Sequence, residues 1–358
     1  MLNPTRQKCW TPSRGFGVAA LAAAALTLGP SDAWSQIREA APPPLDLSTL
    51  TATPLSDEVV LYRDVTYAVI PGFRPLKLDL YAAGPTAAPR PAVLWIHGGG
   101  WSTGDPRASN AIFPDWPAVL GQLAARGYVV LGVSYRLSGE ARFPAALQDV
   151  KAAIRWARLN ARALGIDPER IAAWGGSAGG QLAALAGTSC GVADLEGSVN
   201  APGQVSSCVQ AVIDWYGPTD MARMDEQAEA IAGSRRHGGP GAESSYLGCL
   251  LAQCDRQVVQ AANPLAYVSP KTPPFLVIHG TADRAVPPGQ SEILVNGLRA
   301  VGVSARLIRV SGADHLFAGV SSDQAAAILA SSFDFLDAAL APTRAATAKC
   351  ADPSRSTC

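Results

Sequence analysis

The chain has 358 residues, in which 29 lysines and arginines balance 29 aspartates and glutamates, so its formal net charge is zero. Charged residues make up 16% of the chain, below the roughly 25% of an average soluble domain, and apolar residues make up 48%. This composition argues against a basic nucleic-acid-binding protein and against a disordered chain. The length is sufficient for a large hydrophobic core.

Residues 1–35 have the pattern of a signal peptide. Arg6, Lys8 and Arg14 precede the apolar run 18–28, which is too short to span a bilayer. The small residues Ala33 and Ser35 occupy the third and the first position before a predicted cleavage site between residues 35 and 36. The alternative is a buried alanine-rich helix. We expect export to the periplasm or the cell exterior, without stable membrane association after cleavage.

The cysteines fit an exported protein. One of the seven lies in the predicted signal peptide, and the other six form three pairs of sequence neighbours. An oxidising compartment favours disulfides, and local pairing is the prediction, although six cysteines allow other pairings. Zinc binding is the alternative, but C-x-x-C spacing and nearby histidines are missing, so no metal is predicted. The expected pairs are Cys190–Cys208, Cys249–Cys254 and Cys350–Cys358.

In chain order, residues 36–58 are rich in proline and are predicted to form a loose leader. Leu76, Leu78 and Leu80 then alternate with polar residues, as in an amphipathic strand. Further runs are apolar on both faces, which is typical of central strands of a parallel sheet. These runs are Ala92–Ile96, Val129–Val133, Ile171–Trp174, Val209–Ile213 and Phe275–Ile278.

Helical patterns lie between those strands, the clearest being the apolar positions from Leu147 to Ala161, spaced three and four residues apart. Strands that alternate with helices predict an α/β fold, with a mostly parallel central sheet covered by helices on both faces. The predicted catalytic domain is 59–341. Its polar, glycine-rich segment 218–263 is predicted to be a lid insertion at the carboxyl edge of the sheet, and 342–358 a peripheral tail.

The string Gly175-Gly176-Ser177-Ala178-Gly179 matches G-x-S-x-G directly after an apolar strand and before an Ala/Leu-rich helix, 178–186. A sharp strand-to-helix turn needs glycines and lifts the serine hydroxyl out of the sheet. The motif therefore predicts Ser177 as a nucleophile. The alternative is a packing turn that carries an inert serine.

A glycine loop, His97-Gly98-Gly99-Gly100-Trp101, follows the strand 92–96. Consecutive glycines allow backbone N–H groups to approach a ligand closely, as an oxyanion hole requires. Gly99 and Gly100 are the predicted donors, together with Ala178 after the nucleophile. A phosphate-binding loop is the alternative, but the G-K-[ST] ending is missing.

A serine nucleophile needs a general base, and the chain has four histidines. His315 lies in a loop after the last strand-like segment, at the edge of the sheet where a base is required, and is the predicted base. His97 belongs to the glycine loop and is expected to orient it. His237 lies in the insertion, and His279 ends a buried strand, where its ring is expected to be structural.

The base in turn needs a carboxylate that fixes its tautomer. Asp283 follows the strand 275–278 at the correct edge of the sheet and is the predicted acid. Asp214 and Asp220, after the preceding strand, are the main alternatives. Asp314 is adjacent to the predicted base in sequence, a position from which side chains rarely meet in that geometry.

The order Ser177, Asp283, His315 is that of the α/β-hydrolases. From about residue 65 to 340 the chain resembles esterases and lipases of the HGGG(W) group, and most resembles bacterial feruloyl/acetylxylan-esterase-like domains. The resemblance implies hydrolysis of carboxylic esters without a metal or organic cofactor. The matching stretches are His97–Trp101, Ser134–Leu137, Phe143–Ala145, Gly175–Gly180, His279–Asp283 and His315.

The substrate is predicted less directly. Trp101 and Trp116 are candidates to line an aromatic or sugar pocket, with ordinary packing as the alternative. Arg235 and Arg236 either receive an anionic substrate or form a solvated loop, which is the favoured interpretation. We expect a small-molecule partner, a soluble short-chain or aryl ester, rather than a long-chain triglyceride. A serine peptidase or amidase and a non-catalytic binding module are the alternative functions.

Overall fold

The computed structural model describes residues 45–84, 86, 88–201, 205–232 and 237–342. These residues contain one nine-stranded sheet, in the order β1-β2-β3-β5-β4-β6-β7-β8-β9 when numbered along the chain. Neighbours from β1 to β5 in this order pair antiparallel, and neighbours from β5 to β9 pair parallel. The strands are β1 (Ala52–Pro54), β2 (Val59–Ala68), β3 (Leu76–Ala83), β4 (Arg90–Ile96), β5 (Val129–Val133), β6 (Ile166–Gly176), β7 (Ala211–Trp215), β8 (Phe275–Gly280) and β9 (Ala305–Val310).

Helices cover both faces of this sheet. Apolar residues of α2, α4 and α9 pack in the core on one face, and those of α1 and α10 pack in the core on the other. The described helices are α1 (Trp116–Ala125), α2 (Ala145–Leu159), α3 (Ala161–Leu164), α4 (Ala178–Thr188), α5 (Ala193–Glu196), α6 (Met224–Ala232), α7 (Ala242–Leu247), α8 (Arg256–Ala261), α9 (Gly289–Ala300) and α10 (Ser322–Ala339).

The central strands follow the sequence pattern closely. All of β5, and all of β4 except Pro91, is buried, as expected for strands whose two faces both carry apolar side chains. The prediction of an α/β fold with a mostly parallel sheet is confirmed. Strand boundaries differ by a few residues, and β6 begins at Ile166 rather than Ile171 because Ile166 pairs with Arg90 at the start of β4.

The predicted leader is partly ordered, contrary to its description as loose. Within 36–58, β1 pairs antiparallel with β2, where Thr53 lies opposite Leu61. A short 3₁₀ helix, Leu47–Thr49, precedes this strand, and the Asp46 carboxylate caps it by accepting from the Ser48 N–H at 2.9 Å. All three residues of β1 are exposed, so this segment shows no alternation of buried and exposed residues. Such an alternation is the pattern by which a strand is predicted from sequence, and this edge strand was therefore not predicted.

The insertion 218–263 contains the three short helices α6, α7 and α8. It is anchored to the glycine loop, since the Tyr246 ring stacks on Trp101 with centroids 4.4 Å apart and planes 9° apart. A disulfide joins Cys249 to Cys254 within the insertion, and a second joins Cys190 to Cys208 between the end of α4 and the start of β7. Both bonds match the local pairing expected from the sequence.

Several predictions concern residues outside those that the structure describes. They include the signal peptide 1–35, the start of the leader, most of the tail 342–358 with its pair Cys350–Cys358, and Arg235 and Arg236 of the insertion. In the described part of the chain, no helix is long and apolar enough to cross a membrane.

Candidate active site

Ser177 lies at the sharp turn between β6 and α4, with φ 57° and ψ −124°. This conformation is strained for a residue with a side chain, and the Ser177 N–H stabilises it by donating to the Trp215 carbonyl at 2.8 Å. The flanking glycines are required by close approach of backbone. A Cβ at Gly175 would collide with the carbonyl of Gly179, and a Cβ at Gly179 with that of Ile96.

Three side chains predicted from separate segments are in contact here. His315 Nε2 lies 3.0 Å from Ser177 Oγ, and His315 Nδ1 lies 2.8 Å from Asp283 Oδ2. A carboxylate only accepts, so Nδ1 carries the proton and Nε2 accepts from the serine hydroxyl. This is the tautomer that a general base for a serine nucleophile requires.

Asp283 remains ionised although it is 1% exposed. Burial acts to raise the pKa of its carboxyl, but hydrogen bonds from His279 and His315 outweigh burial and hold that pKa well below its usual range. The other oxygen, Oδ1, accepts from the backbone N–H groups of Ala285 at 2.9 Å and Val286 at 2.8 Å. Four donors therefore surround this carboxylate.

The glycine loop packs directly against the nucleophile, since a Cβ at Gly98 would lie 3.2 Å from Ser177 Cβ. Gly99 and Gly100 have positive φ angles of 104° and 57°, which suit glycine. Among the hydrogen bonds of the described residues, none is donated by the backbone N–H of Gly99, Gly100 or Ala178. These three groups therefore remain candidates for the predicted oxyanion hole.

His97 fixes the start of this loop. Its Nδ1–H donates to the Gly98 carbonyl at 2.7 Å, and its ring stacks on Tyr135 with centroids 4.4 Å apart. Burial lowers the pKa of His97 to about 4, so the ring is neutral at physiological pH. The Tyr135 hydroxyl in turn donates to the His97 carbonyl at 2.9 Å.

The alternative acids considered from the sequence have other partners. Asp214 is buried and accepts from the Gly217 N–H at 2.8 Å, and Asp220 caps a 3₁₀ helix. Asp314 pairs with Arg284, whose Nε lies 2.8 Å from the carboxylate. Among the described residues, none of the three accepts a hydrogen bond from the ring of the predicted base.

A cavity of about 190 Å³ adjoins the glycine loop and the turn before the nucleophile. Trp116, predicted from sequence as a pocket residue, lies in its wall. Leu316, which follows the predicted base, also lines it and is 43% exposed. The cavity is thus mainly aromatic next to the reactive groups, and its other large lining residues are Trp95, Phe113, Trp215 and Tyr216.

Trp101 packs against the insertion. It is 2% exposed, its ring stacks on Tyr246, and its Nε1–H donates to Gln181 Oε1 at 3.2 Å. Of the two interpretations considered for Trp101, these contacts favour ordinary packing over the lining of a substrate pocket. The indole instead joins the glycine loop to the insertion, and it is not among the residues that line the aromatic cavity.

A second, more open depression of about 550 Å³ also borders the glycine loop, at Ser102. Polar atoms form a larger share of its wall than of the wall of the aromatic cavity, and the insertion contributes most of its lining residues. The lining residues that carry a hydroxyl or guanidinium group are Ser102, Ser138, Arg142, Ser244 and Ser245.

Two residues beside the site were not identified from the sequence as functional. The Tyr216 ring, directly after β7, meets the His315 ring edge-on with centroids 5.0 Å apart. His279 Nε2 lies 3.2 Å from Asp283 Oδ2. The signal for His279 was its position four residues before the predicted acid, at the end of a buried strand.

In the part of the chain that the structure describes, no group of three or more His, Cys, Asp and Glu side chains is placed to hold a metal ion. The groups that do converge are the Ser177 hydroxyl, the His315 imidazole and the ionised Asp283 carboxylate, with the glycine loop packed beside them. This combination can perform acyl transfer through a covalent serine intermediate.

Comparisons with known proteins agree with this geometry. Residues 78–298, more than half of the chain, match the family described as BD-FAE. Esterase LipC of Mycobacterium tuberculosis is 36% identical over 236 residues, which cover 64% of this chain and 53% of that protein. The chain spans about half the length of the curated relatives it matches.

Two solved structures are similar in fold as well as sequence. A truncated carbohydrate esterase from gut microbiota has a TM-score of 0.67 and 30% identity, covering 80% of this chain and 100% of that chain. Esterase 2 of Thermogutta terrifontis, phosphonylated by sarin, has a TM-score of 0.61 and 27% identity, covering 84% and 99%. The chain therefore belongs to the BD-FAE family and has the α/β-hydrolase fold, in agreement with the resemblance of its motifs.

Proposed function

We propose that this protein is a serine carboxylesterase. The observation that carries the proposal is the continuous chain of hydrogen bonds from Ser177 Oγ through His315 to Asp283, at 3.0 and 2.8 Å, beside a glycine loop that packs against Ser177. Similarity to proteins named as esterases supports the same reaction. That a similar esterase is phosphonylated by sarin supports a nucleophile of this kind.

In the proposed reaction, Ser177 Oγ attacks the carbonyl carbon of the ester while His315 Nε2 accepts the hydroxyl proton. The negative charge that develops on the carbonyl oxygen is stabilised by N–H groups of the glycine loop and Ala178. His315 then gives its proton to the departing alkoxide, which leaves an acyl-enzyme. A water molecule, deprotonated by the same imidazole, then attacks the acyl carbon; the bond to Ser177 Oγ breaks, His315 returns the proton to that oxygen, and the acid leaves.

The size of the aromatic cavity argues for substrates with small acyl groups. Its volume of about 190 Å³ lies below the range of roughly 300–1,000 Å³ for pockets that enclose drug-sized ligands. We propose that it binds a short-chain acyl group or a single aromatic ring. The indole of Trp116 and the phenol of Tyr216 supply flat apolar walls for either group.

The second, more open depression argues for an ester whose alcohol part carries hydroxyl groups. Serine hydroxyls and the Arg142 guanidinium are suited to hydrogen bonds with the hydroxyl groups of a sugar. Similarity to a carbohydrate esterase from gut microbiota points to the same class. We therefore favour acylated sugars as substrates, with simple short-chain esters hydrolysed as well.

We also propose that the protein is exported. The disulfides Cys190–Cys208 and Cys249–Cys254 support this location, because such bonds persist in oxidising compartments. The N-terminal pattern of the sequence supports it independently. Protein recovered from the periplasm or medium, with residues 1–35 removed, would agree with export. A full-length, reduced protein in the cytoplasm would contradict it.

The test of the proposed function compares Ser177→Ala with Ser311→Ala, an exposed serine in the loop after β9. We expect Ser177→Ala to fold normally and to lose roughly 10³-fold or more of its kcat on p-nitrophenyl acetate, and Ser311→Ala to keep wild-type activity. A Ser177→Ala variant of near-wild-type activity would contradict the proposal.

A substrate panel then tests the specificity. It contains p-nitrophenyl esters from acetate to palmitate, methyl ferulate, acetylated xylan and an amino-acyl anilide. We expect the highest kcat/KM on short-chain, aryl or acetylated-sugar esters. Preference for palmitate would contradict the small acyl cavity, and preference for the anilide would identify a peptidase.

A further inference from the structure

His279 is a second histidine in contact with the proposed catalytic carboxylate. It lies on β8 and is 1% exposed, and both of its ring nitrogens have hydrogen-bond partners. The proposed mechanism does not use it. A buried titratable side chain at this position raises the question of what it contributes to the reaction.

The partners of the ring establish its tautomer. Nε2 lies 2.9 Å from the Val286 carbonyl, which only accepts, so Nε2 carries a proton. Nδ1 lies 2.6 Å from Ser291 Oγ, whose hydroxyl is placed to donate to it. The same Nε2 also lies 3.2 Å from Asp283 Oδ2.

We propose that His279 is a positioning residue for the catalytic acid, an inference that rests on the proposed serine esterase function. Its Nε2–H, shared between Val286 O and Asp283 Oδ2, holds the carboxylate in plane and takes up part of its negative charge. Ser291, in the first turn of α9, maintains this arrangement by fixing the tautomer of His279.

The structure gives this contact a direct route to the base. Asp283 Oδ2 accepts from the two rings, His279 at 3.2 Å and His315 at 2.8 Å, while Oδ1 accepts from two backbone N–H groups. Removing one of the two ring donors leaves more negative charge for the other. The carboxylate then holds a proton on His315 more strongly, so the base becomes protonated, and inactive, at a higher pH.

Other ionisable groups border this pair and remain unchanged in the variants that test it. Asp214 and Tyr216 approach from the end of β7, and the ion pair of Arg284 with Asp314 lies beside the predicted base. Because these groups are constant, a change in the pH profile between variants reports the His279 contact.

The experiment measures kcat, KM and the acid limb of kcat/KM on p-nitrophenyl acetate for three variants. His279→Leu removes both ring hydrogen bonds at similar volume, His279→Gln retains an N–H donor near the Nε2 position, and Ser291→Ala removes the donor to Nδ1. For His279→Leu we expect kcat to fall about tenfold, a part of what general base catalysis contributes, with little change in KM. The acid limb of its kcat/KM profile should move to higher pH by about half a unit. A shift of this size is expected when the carboxylate loses one weak hydrogen bond.

We expect His279→Gln to restore the wild-type acid limb and most of kcat, and Ser291→Ala to lie between wild type and His279→Leu. A folded His279→Leu variant with the wild-type acid limb, or Leu and Gln variants with the same limb, would overturn the proposal. If circular dichroism shows that His279→Leu does not fold, the Ser291→Ala variant tests the proposal instead. An acid limb of its kcat/KM profile that is shifted to higher pH supports the proposal, and a wild-type acid limb overturns it.

These outcomes are distinct from failure of the proposed function itself. That function fails if Ser177→Ala retains activity, whatever the His279 variants do. If Ser177→Ala is inactive and the acid limb of the His279 variants is unchanged, only the positioning role is overturned.

Discussion

Two buried carboxyl groups at the ends of neighbouring strands have opposite electrostatic environments. Asp283, in the loop after β8, is 1% exposed and accepts from two histidine rings and two backbone N–H groups. Asp214, on β7, is 0% exposed and accepts from the Gly217 N–H, while its Oδ2 has no partner among the described residues.

The pKa values of the two groups differ accordingly. Burial, only partly offset by the Gly217 N–H, raises the pKa of Asp214 to about 6. At Asp283 burial acts in the same direction, but the hydrogen bonds from His279 and His315 prevail and lower the pKa. The comparison shows that hydrogen-bond donors to the carboxylate, rather than its burial, determine which of the two acids is ionised. Only an ionised acid can orient the histidine base.

The largest effect is expected from removing the charge of the proposed acid. In Asp283→Asn the amide cannot hold His315 in the tautomer that accepts the serine proton, so kcat should fall by roughly 10³–10⁴-fold. Steady-state kinetics on p-nitrophenyl acetate measure this loss, with circular dichroism as the control for folding. A loss of less than tenfold in the folded variant would mean that the two acids have been assigned wrongly.

Asp214→Asn should affect stability rather than catalysis. The folded-state pKa of about 6 lies above the ordinary value, so the folded state binds more protons between about pH 4 and 6 and loses stability as pH rises through that window. Two pKa units correspond to about 3 kcal/mol. The neutral amide, which can still accept from Gly217, removes this penalty.

Urea unfolding at pH 4 and pH 8 tests this prediction. Relative to wild type, we expect Asp214→Asn to gain about 2–3 kcal/mol of unfolding free energy at pH 8 and almost nothing at pH 4, with activity within a few-fold. An equal change at both pH values would show that the pKa of the Asp214 carboxyl is not raised in the folded protein.

The smallest effect is expected for a third carboxylate near the site, Asp314. It pairs with Arg284, whose side chain is 70% exposed, and such surface pairs contribute about 0–1 kcal/mol. In Asp314→Asn, Oδ1 can still accept from the backbone N–H groups of Arg284 and His315. We expect kcat/KM to stay within about threefold of wild type; a loss comparable with that of Asp283→Asn would contradict the ranking of the three acids.

The sequence was most informative where chemistry depends on local geometry. Close backbone approach requires glycine at 175 and 179, and the apolar strands place Ser177, Asp283 and His315 at one edge of the sheet. The fold class and the family resemblance followed from these same local patterns.

It was least informative where a role depends on distant contacts. Trp101 is buried because Tyr246 of the insertion covers its ring. The sequence around Trp101 contains no pattern that predicts this contact. The function inferred for His279 likewise depends on Ser291 and Val286, which reach it through the folding of two further segments. Such contacts are properties of the tertiary structure rather than of local spacing.

The central claim is that Ser177 is the nucleophile activated by His315, and covalent labelling tests it most directly. The wild-type protein is treated with a fluorophosphonate, its intact mass is measured, and the adduct is mapped by peptide mass spectrometry. We predict one adduct per chain, located on Ser177, and no adduct on the Ser177→Ala variant. An adduct on another residue, or labelling of wild type no faster than that of Ser177→Ala, would contradict the claim.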